Sequence, residues 1–303
     1  MPPGTDTSIW NATIPVPAEV ISYVDRAVKM KLPEGSQVQS IVPSGSSYWA
    51  RTAKIETVDA EGKKMFYFIK VHQGEAGYKL VLGEYQSMKT LWTAMPELFV
   101  RPYGFGTYEE MKDVHFFLCS FHDMHDDVPS PSDFPALVAK LHRENISPDG
   151  KFGFPYETYG GRLPQFFPVT SSWEATFTSG VKGIFENEER AQGYDEDMAQ
   201  LRKAIIEKVI PRLLRPLETG PNKIQPRLVH GDMWDGNCGI DINTNTPVVF
   251  DGTCLWAHNE YELAPWQPQR HRMNRPYIEK YIENFDVSEP KEDFEDRVLL
   301  YAM

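Results

Sequence analysis

Between Pro17 and Met30 the apolar residues Val20, Ile21, Val24 and Val28 recur three and four positions apart, a stripe that predicts one amphipathic helix. From Gln37 to Val71 the pattern changes to apolar runs: Val38–Val42, Tyr48–Ile55 and Met65–Val71. The breakers Pro43–Ser47 and Asp59–Lys63 separate them, which predicts an antiparallel meander. A helix is expected from about Tyr78 to Met95, with Leu80, Glu84, Met88, Leu91 and Trp92 on one face, followed by a β-rich stretch at Val114–Cys119. The polar, proline-containing run His122–Ser132 reads as a boundary, so the lobe junction is placed at Leu118–Asp123 and the domains at 1–120 and 121–303. The second half reads as mostly helical, clearest at Phe134–Arg143 and Glu196–Leu214. Within it lies a strand pair, Cys238–Ile242 and Pro247–Phe250, joined by Asn243–Thr246. A β-rich lobe followed by a helical lobe predicts an α+β fold, with ligands expected where domains meet.

Composition narrows the function classes. With 303 residues, 41% hydrophobic and 24% charged, the chain can bury one large core or two smaller ones, and no fixed repeat period runs through it. A formal net charge of −12 without a basic stripe argues against nucleic acid as a partner. No apolar run approaches the roughly 20 residues that span a bilayer, and Met1–Asp6 lacks a charged, then apolar, leader pattern. Cys119, Cys238 and Cys254 have no metal-type spacing and suit free thiols, so a cytoplasmic protein without a membrane partner is expected.

The chemistry concentrates in Val229-His230-Gly231-Asp232-Met233-Trp234-Asp235-Gly236-Asn237, followed after a hairpin by Val248-Val249-Phe250-Asp251-Gly252. In phosphoryl transfer a loop Asp takes the proton of the attacking hydroxyl, an Asn five positions later helps hold Mg²⁺, and a further carboxylate completes the metal shell. Asp232, Asn237 and Asp251 have that order; separately each also reads as a turn residue, a helix cap or a strand end. Lys70 shares a strand face with Phe66 and Phe68, and Glu84 sits on the apolar face of the next helix. Two charges misplaced in this way explain each other if they pair, as a strand Lys and helix Glu do around ATP phosphates. Ser44, Gly45, Ser46 and Ser47 form a candidate phosphate-covering loop, or an ordinary hairpin turn.

These residues resemble the fructosamine-3-kinase and ketosamine-3-kinase (protein-ribulosamine 3-kinase) family, within the aminoglycoside-phosphotransferase-like kinases. The discriminating feature is the Trp two residues after the Asp, here Trp234. Gly83-Glu84, Leu141-His142, Phe152-Gly153-Phe154, Gly161 through Pro164-Gln165, Trp173 with Phe177, and His258–Ala264 extend the likeness over most of the chain. The resemblance implies a bilobal protein-kinase-like fold, with a small antiparallel β lobe carrying one key helix and a larger, mainly helical lobe. It also implies ATP- and Mg²⁺-dependent phosphorylation of the 3-hydroxyl of ketosamines, as adducts of lysine or protein, in deglycation. Carried over by position, Asp232 is the catalytic base, Asn237 and Asp251 the metal ligands, and Lys70, Glu84 and the Ser44–Ser47 loop the nucleotide contacts. Trp234 either packs on the sugar or anchors its loop as a core aromatic. His230 and His142 are expected to be structural. The loop lacks the family's richer glycine content and any cysteine, Ser120 stands where the family usually has Glu, and Arg297–Met303 resembles the start of a helix that the family continues. Two other functions fit the same residues: a small-molecule kinase of the aminoglycoside, choline or homoserine type, and a catalytically silent kinase-fold binding protein.

Overall fold

Alternation of side chains along three strands builds the first part of the molecule: β1 (Gln37–Pro43), β2 (Arg51–Val58) and β3 (Lys64–Gln73) pair antiparallel. The computed structural model describes residues 16–45, 47, 49–125, 127–221 and 223–303, so Met1–Asp6, Ser46 and Tyr48 lie outside the described residues. On β3 the odd positions Tyr67, Ile69 and Val71 are buried and pack with Ala53, Ile55, Phe116 and Leu118. The even positions Phe66, Phe68 and Lys70 face the other way. Adding β4 (Pro102–Thr107) and β5 (Val114–Ser120) gives a sheet in the order β1-β2-β3-β5-β4. Strand β4 is hidden in the sequence because Pro102, Gly104 and Gly106 punctuate it like a turn.

The single helix expected at Pro17–Met30 is a correction: the chain forms a 3₁₀ turn at Ala18–Ile21 and a short helix, α1 (Arg26–Lys29). Its apolar stripe is buried as the spacing implies. The break comes from Asp25, whose carboxylate caps α1 through Ala27 N at 2.8 Å and also accepts Glu109 N at 2.9 Å and Glu110 N at 3.2 Å. A residue serving three backbone donors adopts extended dihedrals that a continuous helix would deny it.

Helix α2 (Gly74–Ala94) begins four residues before the expected start and packs on β3, β4 and β5. Beyond it, Val100 N donates to Val249 O at 3.1 Å and Val249 N to Leu98 O at 2.9 Å. Ile240 and Asp241 pair with His125 and Met124. The hairpin at 240–251 therefore belongs with residues 16–125 in one unit, while 127–239 and 252–303 form a second. The chain crosses between units three times, which one boundary near 120 does not describe.

In the second unit, α3 (Phe134–Glu144), α4 (Trp173–Gln192), α5 (Glu196–Ala204), α6 (Ile210–Leu214), α7 (Arg275–Ile282) and α8 (Phe294–Tyr301) surround an aromatic core. Trp173, Trp266, Tyr281 and Tyr301 are its largest members, and Trp173 Nε1 donates to Tyr301 Oη at 2.8 Å. The stretch expected as one helix, Glu196–Leu214, keeps its course but passes through a π-helical turn at Ile205–Val209, next to Pro211, which has no N–H to give to Glu207. Short strands Arg227–Val229 and Leu255–Ala257 pair antiparallel and frame the loop that carries Asp232. Among the described residues no helix is long and apolar enough to cross a membrane.

Candidate active site

In the first unit, Lys70 Nζ lies 2.9 Å from Glu84 Oε1 and 2.6 Å from Asp251 Oδ1. Strand β3 delivers the lysine on the face opposite the Tyr67–Val71 core, α2 delivers Glu84, and the hairpin 240–251 ends on Asp251, whose φ of 58° turns the chain sharply there. Lys70 and Glu84 are 13% and 14% exposed while Asp251 is 41% exposed, so the trio is buried on one side and open on the other. Burial pushes the Lys70 ammonium down, but the carboxylates of Asp251 and Glu84 outweigh it and hold its pKa above the ordinary lysine value. Burial pushes the Glu84 carboxyl up against the pull of Lys70, and the charge of Asp251 adds to the rise.

A cavity of about 260 Å³ adjoins this trio, lined among others by Ser44, Gly45, Phe68, Phe117, Phe121 and Asp251. Ser44 and Gly45 thus face it, whereas Ser47 Oγ accepts from Trp49 N at 3.3 Å and Ala50 N at 3.2 Å and holds its own loop. Ser46 lies outside the described residues. In the cavity wall is a network the sequence reading missed: His122 Nδ1 meets Asp241 Oδ2 at 2.7 Å and its Nε2 meets Ser120 Oγ at 3.0 Å. Ser120 Oγ also accepts from Arg101 N at 3.0 Å. This network fixes residues 120–123. On the other side Lys54 does the same, sitting 4.1 Å from the Phe121 ring and 3.6 Å from Asp123.

In the second unit, the loop His230–Asn237 is shaped by its own backbone. Gly231 has φ 85°, and a Cβ there would stand 2.6 Å from Thr253 O, so only glycine fits. Glu262, fully buried, accepts from His230 N and from Gly231 N, the latter at 3.0 Å. Burial pushes the Glu262 carboxyl up, but His142 and the backbone donors more than offset it and leave its pKa below the usual range. Asp232 O accepts Trp234 N at 3.1 Å and Asn237 Nδ2 at 2.8 Å, and Asp232 Oδ2 accepts the same Nδ2 at 2.9 Å. Because both of those partners are acceptors, the Asn237 amide orientation is chemically fixed, and its Oδ1 is the atom the turn does not use. Trp234 is 36% exposed, which removes the core-aromatic reading. His230 and His142 are fully buried. His142 Nδ1 bonds Tyr281 Oη at 2.8 Å and its Nε2 stands 3.5 Å from Glu262, while His230 Nδ1 faces Asp232 N at 3.3 Å. Glu262 was noticed in the sequence only as part of a matching segment; a glutamate inside the apolar spacing of His258–Ala264 was the signal of its structural work.

The family model described as fructosamine kinase matches residues 44–303, a stretch that contains every one of these side chains. The chain belongs to the fructosamine kinase family. Among curated relatives of this family, the ketosamine-3-kinase of Mus musculus is 35% identical over 115 residues, covering 38% of this chain and 34% of the relative. The chloroplastic protein-ribulosamine 3-kinase of Oryza sativa subsp. japonica is 26% identical over 199 residues, covering 65% and 55%. These matches thus span about a third to about half of the relatives' own lengths. Among solved structures, a Thermobifida fusca protein assigned as a fructosamine-3-kinase superposes with a TM-score of 0.63 at 20% identity, covering 88% of this chain and 85% of the other. The aminoglycoside phosphotransferase APH(4)-Ia, solved with AMP-PNP and hygromycin B, gives 0.53 at 14% identity, covering 90% and 86%. At such identities the likeness shows the fold: α+β and protein-kinase-like, as the resemblance implied.

Proposed function

We propose that the protein is an ATP- and Mg²⁺-dependent kinase that phosphorylates the 3-hydroxyl of ketosamines, adducts of a sugar with lysine or protein amines, in deglycation. The observation that carries this reading is the family match from 44 to 303, which contains both the Lys70–Glu84–Asp251 cluster and the Asp232 loop with its Trp234. In the proposed reaction the acceptor O3–H gives its proton to the Asp232 carboxylate as O3 bonds the γ-phosphorus. The bond from that phosphorus to the bridging oxygen breaks, and ADP leaves with the electron pair. Lys70, held by Glu84, contacts the phosphates. The cavity behind Ser44 and Gly45 takes the nucleotide, and Trp234 packs against the sugar.

For the magnesium ion, each unit offers oxygen donors of the kind this ion takes. Asp251 offers a carboxylate that is 41% exposed, and Asn237 offers the Oδ1 that its own turn does not use. Among the described residues no group of three or more His, Cys, Asp or Glu side chains could hold a metal by itself, so phosphate oxygens would complete the shell, as is usual for this ion. The bound ion supplies neutralisation of phosphate charge. The three cysteines are free and buried, in keeping with a reducing compartment such as the cytosol.

The test is incubation with ATP, Mg²⁺ and separate acceptors: fructosamine and ribulosamine adducts of lysine, an aminoglycoside, choline and homoserine. ADP release with phosphate on O3 of a ketosamine is the expected result. Turnover confined to the other amines, or none at all, overturns the proposal.

A further inference from the structure

The surface around Trp234 contains one ring that neither the family resemblance nor the proposed reaction accounts for. The imidazole of His271 lies against the indole with ring centroids 5.4 Å apart and planes tilted by 38°. Both rings are held. His271 Nδ1 meets Pro265 O at 2.6 Å, its backbone N donates to Pro268 O at 3.1 Å, and its backbone O accepts from Asn274 Nδ2 at 2.9 Å. On the indole side, a Cβ at Gly236 would stand 2.3 Å from the ring, so this position must be glycine for Trp234 to fold back over its own loop. The segment bearing His271 also grips that loop: Trp266 Nε1 donates to Met233 O at 2.7 Å and Arg272 N to Asp235 Oδ1 at 3.2 Å.

The hydrogen bond to Pro265 decides the chemistry. A carbonyl oxygen only accepts, so Nδ1 carries the hydrogen, and in the neutral ring Nε2 is an acceptor. No described residue donates to it. The surface therefore combines an indole that is 36% exposed with a neighbouring lone pair on a held ring, while the Asp235 carboxylate on the same loop is offset by the exposed Arg270 and Arg272 that flank His271. A sugar C–H face suits the first. A protonated amine suits the second, since it donates a charge-assisted hydrogen bond to the lone pair and is drawn by the aromatic ring beside it.

We propose that His271 is a specificity-determining residue for the acceptor, receiving at Nε2 the ammonium hydrogen of a sugar that carries a secondary alkylamine, while Trp234 takes the sugar face. The inference rests on the proposed function and deepens it. It selects amine-linked sugars over neutral sugar ethers of the same shape.

The experiment compares wild type with His271→Phe and His271→Ala, using a fructosamine of lysine and the matching ether in which oxygen replaces the amine nitrogen. Wild type is expected to favour the amine in kcat/KM by at least about tenfold, the value of one hydrogen bond to a charged group. His271→Phe, which keeps a ring against Trp234, should raise KM for the amine about tenfold with kcat, KM for ATP and KM for the ether unmoved. His271→Ala should raise KM for both acceptors. Nitrogen NMR of wild type gives a readout independent of how the variants fold: the Nε2 resonance of His271 should shift on adding the fructosamine. A His271→Phe protein that keeps the amine preference, or an Nε2 resonance that the fructosamine leaves unchanged, overturns this inference alone. A wild type that phosphorylates no ketosamine overturns the proposed function, and this inference with it.

Discussion

The two units hold their polar residues by opposite means. In the first, Lys70, Glu84 and Asp251 come from three separate elements and are joined by charge-assisted hydrogen bonds between their side chains. In the second, Asp232 and Asn237 lie five positions apart in one turn and are joined by backbone and amide hydrogen bonds, with buried Glu262 holding the two N–H groups before them. Ion pairs carried on side chains of three elements can exchange partners when a phosphate or a metal arrives, because no backbone bond fixes them and a charge attracts any opposite charge nearby. A turn closed by a left-handed glycine and paired amides keeps one geometry, as a residue that must meet a hydroxyl at hydrogen-bond distance requires. Under the proposed function this contrast is a division of labour: an adaptable charge cluster for the nucleotide, a rigid loop for the acceptor.

The largest expected effect comes from removing the side chain that this rigid loop serves. Asp232→Ala should lower kcat by about 10² to 10⁴-fold, with the thermal midpoint nearly unchanged because Asp232 O still accepts from Trp234 N and Asn237 Nδ2. Lys70→Ala, on the adaptable side, should raise KM for ATP as well as lower kcat. Steady-state kinetics in both substrates separates the two. An Asp232→Ala protein with near-normal turnover would end the comparison.

Stability changes come next. Glu84→Ala leaves a buried lysine with one partner and should cost about 3 kcal/mol, the low end for breaking a buried pair because Asp251 remains. Gly231→Ala places a Cβ 2.6 Å from Thr253 O at a φ of 85° and should cost about 2 to 3 kcal/mol. The comparison says that their kinetic signatures differ. Glu84→Ala should weaken nucleotide affinity and leave the acceptor KM alone, whereas Gly231→Ala should lower kcat by moving Asp232. Urea unfolding together with both KM values checks this, and identical signatures would show the two regions to be equally rigid.

How much of this was legible in the sequence follows from how local each signal is. The strands around Lys70 show as period-two runs, and Lys70 and Glu84 stand out because each charge interrupts an apolar face. Asp251 meeting Lys70 could not be read, since 181 residues separate them. The same holds for Asp25, whose bonds to Glu109 and Glu110 break a helix that local spacing favours. Helix α4 was missed although its signal was present: Trp173, Thr176, Phe177, Gly180 and Val181 form a buried stripe, half-hidden by Thr and Gly in apolar positions. Trp234 is visible as a motif residue, but its contact with His271 depends on a loop returning 37 positions later.

Acidification offers a test that touches both units at once. Burial pushes His72 down to about 3 in the first unit and His258 down to about 4 in the second. Neutral His258 bonds Tyr301 Oη and Ser288 Oγ, each at 2.9 Å. An unfolded histidine takes its proton near pH 6.5, about where the folded ones still resist it, so below that pH the unfolded state binds more protons. Stability should be full above pH 6.5 and fall as the pH drops toward 4, by about 2 kcal/mol per histidine at pH 5. His258→Gln should flatten part of that slope. Thermal midpoints at pH 7, 6 and 5 measure it, and a slope unchanged in the variant would remove His258 from the account.

The smallest effect sharpens the comparison from outside both sites. Asp25 is 1% exposed and accepts three backbone N–H groups, a carboxylate whose work is directional, like that of Glu262, although it sits in the unit that holds the charge cluster. Asp25→Ala removes the cap of α1 but frees donors at Glu109 and Glu110, which are exposed and can turn to water. The cost should be about 1 kcal/mol, a fall of a few degrees in the thermal midpoint. Asp25→Asn, which keeps one acceptor oxygen, should recover about half of it. Neither variant should change KM for ATP, because the sheet face that Asp25 supports is the Tyr67–Val71 side and the cavity lies on the Phe68–Lys70 side. A rise in nucleotide KM in either variant would mean that strain crosses the sheet from one face to the other, and that the first unit is less adaptable than its charge cluster suggests.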